Sequence, residues 1–136
     1  MDAEKMTKKD VFISFAEKAK KKLNARKKQR AEKLYIPDLD ETITITALTD
    51  QEFADISDFS EDSNTNDKYM IYMSSPELQE LAKELKESGE IQNHCDVADI
   101  FKRADRREIA RKILEISGVY EESTVTVISE PEEIKK

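Results

Sequence analysis

Residues 33–46 read KLYIPDLDETITIT, and this stretch decides the fold. Leu34 and Ile36, then Ile43 and Ile45, alternate with polar residues at the period of a half-buried strand. Pro37-Asp38-Leu39-Asp40-Glu41 between them has turn chemistry, with Pro37 holding one φ angle. The stretch predicts a β-hairpin over 33–37 and 41–46. Two strands are marginal in water by themselves, so helices must cover the apolar face.

The sequence downstream supplies those helices. Thr49 with Glu52 three residues on is a capping box, and Phe53, Ile56 and Phe59 mark the buried face behind it. Residues 60–67 are acidic and rich in Asn and Ser and predict a loop. Thr65 or Asn66 then caps a short segment whose apolar content is Tyr69, Met70, Tyr72 and Met73. Ser75-Pro76 gives an N-cap followed by Pro at the first helical position. Leu78, Leu81, Ala82 and Leu85 form the face of that helix, and Gly89 its stop. Val97, Ile100 and Phe101 carry the next segment, over 96–104. Asp105 with Glu108 is expected to open the last helix, with Ile109, Ala110, Ile113, Leu114 and Ile116 inward and Gly118 at its end. Each is too short to hold without packing on the others.

Upstream, Thr7 with Asp10 predicts an N-cap. Phe12, Phe15, Ala16, Ala19 and Leu23 follow at helical spacing as one narrow apolar stripe. The stripe ends at Leu23, and residues 24–30 are polar helix formers. A helix with half a stripe is expected to project, its apolar half resting on the body or on a partner. The chain thus divides into a basic N-terminal arm (1–32), a hairpin-plus-helix body (33–120) and an acidic tail (121–136). The predicted class is mainly α: four to five short helices with one β-hairpin, preceded by a long basic helix. In the tail, Val125-Thr126-Val127-Ile128 has strand character. It either adds to a sheet edge, its own or a partner's, or is plain tail.

Charge is unevenly spread over the 136 residues. Residues 1–35 hold 12 Lys/Arg against 5 Asp/Glu, while 36–136 hold 11 against 25, so a basic arm meets an acidic body. Such asymmetry is read either as an arm that binds acidic surfaces or a sister subunit, or as a solvated helix face, and self-association is left open. No apolar run approaches the ~20 residues that span a bilayer, so no membrane partner is expected. One Cys excludes an intramolecular disulfide, and a cytoplasmic protein without a signal region is expected.

The residues that carry chemistry are few. His94-Cys95 are sequence neighbours, which seldom converge as a dyad, and no second His or Cys completes a zinc site. Asp55/Asp58 and Glu80/Glu84 fall opposite the apolar faces. Asp58, Glu61, Asp62 and Asp67 lack the spacing of a calcium loop. Residues 18–33 hold nine Lys/Arg, the one stretch suited to nucleic acid, but without interleaved aromatics for stacking. We expect no catalytic residue, metal site or cofactor. Protein contacts are assigned to Phe12, Phe15, Val125, Val127 and Ile128. A small nucleic-acid-binding regulator using the basic arm is the alternative. A hydrolase or metal protein built on His94 and Cys95 is the third reading.

The order of segments resembles the tail assembly chaperones of long-tailed bacteriophages and prophages, specifically the XkdN-like group. Phe12-Ile13-Ser14-Phe15 stands in an early helix. Lys33-Leu34-Tyr35-Ile36-Pro37 leads into a turn and Ile43-Thr44-Ile45. Asp67-Lys68-Tyr69-Met70-Ile71-Tyr72 is followed by Ser75-Pro76-Glu77-Leu78. Cys95-Asp96-Val97-Ala98-Asp99-Ile100-Phe101 precedes Ile113-Leu114-Glu115-Ile116-Ser117-Gly118. The resemblance covers about residues 10–120. It implies a mainly helical protein of the host bacterial cytoplasm, absent from the finished virion. Such a protein binds and solubilises the tape measure protein and helps recruit tail tube protein subunits. The arm over 18–30 is longer and more basic than the group's pattern.

Overall fold

A computed structural model describes residues 7–27 and 30–128, with the backbone alone of Lys27. The protein is mainly helical, with one two-stranded antiparallel hairpin and a long N-terminal helix, as the sequence predicts. The order is α1 (Lys8–Lys27), β1 (Ala31–Ile36), β2 (Glu41–Thr46), α2 (Asp50–Phe59), α3 (Ser63–Ser74) and α4 (Pro76–Glu87). A 3₁₀ helix (His94–Ile100) and α5 (Arg103–Ile116) complete it.

The hairpin pairs Leu34 with Ile43 and Glu32 with Ile45. Ile36, Ile43 and Ile45 are buried on the covered face, while Tyr35 on the opposite face is exposed. The first strand starts at Ala31, two residues before the predicted start, because Arg30 O still accepts from Ala47 N–H (2.7 Å) and extends the ladder. In the turn, Asp40 takes a positive φ of 49° and accepts from the Tyr35 hydroxyl (2.7 Å). Asp is one of the few residues that tolerate that region.

Helices α3, α4 and α5 close over the covered face, and the 3₁₀ helix packs on α3 and α4 behind them. Ile71, Leu78, Ala82, Val97, Ala98, Phe101, Ile109 and Ile113 form one core with the hairpin isoleucines. The Thr49/Glu52 capping box is present, with both bonds made at 3.0 and 3.2 Å. Gly89 and Gly118 both take positive φ past helix ends.

Three expectations are corrected. Helix α3 begins at Ser63, not at 65–66, because Asp62 accepts from Thr65 N–H (3.2 Å) and is the real cap. Residues 63–67, expected as loop, are therefore helical. Asp105 does not open the last helix but sits in its first turn, which starts at Arg103 after Lys102. Val97, Ile100 and Phe101 are carried on a 3₁₀ stretch, with Phe101 as its C-cap. Of the alternatives left open for Val125–Ile128, pairing on the chain's own sheet is not seen: residues 121–128 form no strand, and 129–136 lie outside the described residues.

Candidate functional site: an exposed helix and an open strand edge

Helix α1 is secured at its start by Thr7 and Asp10. Asp10 N–H donates to Thr7 Oγ1 (3.1 Å), and Thr7 N–H donates to Asp10 Oδ2 (3.2 Å). This is the reciprocal cap the sequence predicts, with Asp in place of Glu. Every described side chain of the helix is exposed except Ala16, which is half-buried. Phe12 and Phe15 are 67% and 68% exposed, with Val11, Ile13 and Leu23 also open to solvent. The aromatic face of the helix is thus uncovered by the described body. Lys18, Lys21 and Lys22 lie together with Ala25 further along the helix, largely on another side of it.

The predicted contacts Phe12 and Phe15 thus share one helix face in solvent. Val125, Val127 and Ile128 are also bare, at 89%, 83% and 97% exposure. These are two separate surfaces, on opposite ends of the sequence. Val11 and Ile13 widen the aromatic face beyond the predicted stripe; the run VFISF carried that signal.

A further feature was not legible. Leu34, Ile36 and Pro37 of the β1 side face Asp105, Glu108, Ile109 and Lys112 of α5 across a groove of about 330 Å³. Its floor is apolar and its rim carries both signs of charge. The register sets every second residue of β1, Ala31, Lys33 and Tyr35, with its main-chain groups pointing away from β2. Among the described residues no hydrogen bond reaches those groups.

The chemical candidates are placed apart. Cys95 is buried, and burial pushes its thiol above the usual range, which disfavours a reactive thiolate. His94 instead stacks on Tyr72, ring centroids 5.8 Å apart. Asp62 is a helix cap held below the usual carboxylate range by the Thr65 hydroxyl, while burial pushes Asp67 up. Among the described residues no three His, Cys, Asp or Glu side chains are grouped to hold a metal ion. Lys68 bridges Asp96 (2.9 Å) and Asp99 (3.1 Å), tying α3 to the 3₁₀ helix. Burial opposes the charge on Lys68, but its two carboxylate partners prevail and raise its pKa. The pair thereby holds Asp96 below the ordinary range. Among the described residues no helix is long and apolar enough to cross a membrane.

Compared with protein-family models, curated proteins and solved structures, the chain matches none.

Proposed function

We propose that this chain is a non-catalytic assembly chaperone of the phage tail type, binding a long helical client and keeping it soluble. The observation that carries the reading is the pair Phe12 and Phe15, exposed on a projecting, lysine-rich helix. A client-holding protein needs modest apolar spots ringed by charge, and several copies along one client multiply weak contacts into avidity. By the sequence resemblance, the client is the tape measure protein and the tail tube protein is the recruited partner. The place of action is the host bacterial cytoplasm, and the chaperone leaves before the virion is complete. Co-expression with the tape measure protein tests this. The intact chain should raise the client's soluble fraction, and the Phe12→Ser/Phe15→Ser variant should not. Equal solubility with and without the intact chain would overturn the reading.

A second reading draws on the exposed cations of α1, with Lys18, Lys21, Lys22 and Ala25 lining a shallow cavity. It makes the protein a small nucleic-acid-binding regulator. Binding to duplex DNA with a steep inverse dependence on salt would favour it. The acidic body opposes it.

A further inference from the structure

The two edges of the hairpin are treated differently. On the outer side of β2, Thr44 N–H donates to Glu77 Oε2 (3.2 Å) and Thr46 N–H donates to Ser74 Oγ (2.9 Å). That edge is closed by side chains from the α3–α4 junction. Among the described residues nothing covers the outer edge of β1 in this way, and the groove against α5 runs beside it, floored by Leu34, Ile36 and Ile109. An open edge strand beside an apolar groove is a template for a further strand.

The same chain carries a bare segment of matching character. Past Gly118 the chain turns, with Glu121 N–H donating to Gly118 O (3.2 Å), and Glu121 pairs with Arg30 at 3.2 Å. Arg30 directly precedes β1, so the tail leaves the body next to the open edge. Its β-branched run then stands in solvent instead of lying on that edge. With a period of two, Val125 and Val127 share one face and Thr124 and Thr126 the other. Cations of the groove and of α5, interspersed with Asp105 and Glu108, face an acidic tail. The run is bracketed in sequence by Glu121 and Glu122 and by Glu130, Glu132 and Glu133. Lys33 and Lys112 rim the groove, and Arg103 and Arg107 line the adjoining surface of α5.

We propose that residues 124–128 of one copy add as a strand to β1 of a second copy, and reciprocally, giving a two-fold strand-exchanged dimer. Val125 and Val127 then cover Leu34, Ile36 and Ile109, and the outward groups of Lys33 and Tyr35 gain main-chain partners. Because each tail leaves its body beside the edge, two copies set edge to edge exchange tails over a short span. One chain carries both the unfilled edge and the unpaired run, so reciprocal exchange satisfies all four at once. The inference is independent of the client-binding reading, since it concerns the purified chain alone.

The test is sedimentation of the full chain from micromolar to near-millimolar concentration, with amide hydrogen exchange on the same samples. The expected result is an apparent mass rising towards two copies. Protection at Lys33, at Tyr35 and within residues 124–128 should increase with concentration. Truncation after residue 122 should abolish both effects. Lys33→Pro, which removes an outward N–H and leaves the β1–β2 ladder intact, should do the same, its fold checked by circular dichroism. Should that variant fail to fold, Val127→Asp in the tail replaces it. A monomer at every concentration, or a dimer that survives the truncation, overturns the proposal. So does protection that is independent of concentration, which would mean that the run folds on its own edge.

Discussion

Ser74 does for Thr46 what a third strand would do. Its hydroxyl donates to Thr46 O (2.6 Å) and accepts from Thr46 N–H (2.9 Å), while Thr46 Oγ1 donates to Ser74 O (2.9 Å). Both main-chain groups at the end of β2 are thereby satisfied inside the protein, with Ser74 fully buried. Ser117 repeats the device one step on, accepting from Leu48 N–H (3.0 Å) and donating to Ile113 O (2.6 Å). A two-stranded sheet becomes tenable because serines at helix ends replace missing neighbours.

Ser74→Ala leaves a buried donor and a buried acceptor of Thr46 without partners. The expected loss of stability is about 1–3 kcal/mol. Urea denaturation of the two proteins checks it, and an unchanged midpoint would show that water replaces the hydroxyl.

Lys68→Ala strands Asp96 and Asp99 at the seam between α3 and the 3₁₀ helix. Because the site is partly exposed, the expected cost at neutral pH is about 1–2 kcal/mol. The pH dependence has a definite sign. Asp96 has its carboxyl held down in the folded state, so its contribution is present above the ordinary carboxylate range. It is lost as pH falls through the depressed value. The difference between Lys68→Ala and the parent should therefore shrink in acid, as read by denaturation at a series of pH values.

Asp67 behaves oppositely. Burial pushes its carboxyl up against the opposing pull of Arg107 and Arg106. A raised carboxyl destabilises the fold as pH climbs from the unfolded value through the folded one, and the penalty is complete above the folded value. Asp67→Asn should raise Tm at neutral pH by roughly 1–3 °C and have no such effect in acid.

Phe12→Ser/Phe15→Ser removes two rings that touch little of the described structure. The thermal unfolding of the body should stay within about 0.5 kcal/mol of the parent. A large loss of stability would mean that the two rings pack on the body in solution.

The sequence was legible where local chemistry decides. The alternation through Ile43 and Ile45, the Thr7/Asp10 and Thr49/Glu52 caps and the positive-φ glycines are short-range signals, and each is found in the structure. The helix carrying Phe12 and Phe15 is also found, but its apolar half does not rest on the described body, one of the two placements that the spacing left open. The start of α3 was missed because residues 60–67 offer several capping side chains, and only the approach of Asp62 to Thr65 selects one.

By itself, then, the sequence determined the order of the elements, the Thr7/Asp10 and Thr49/Glu52 caps and which residues seek cover, because these rest on neighbours within a few positions. The tertiary structure alone decided which edge of the hairpin is closed. Thr46 meets Ser74 across 28 residues and Leu48 meets Ser117 across 69. No local pattern encodes such pairings, because they arise only when α3, α4 and α5 close over the sheet. The open edge of β1 is the remainder of that closure: its main-chain groups look like any other strand's until folding leaves them facing water.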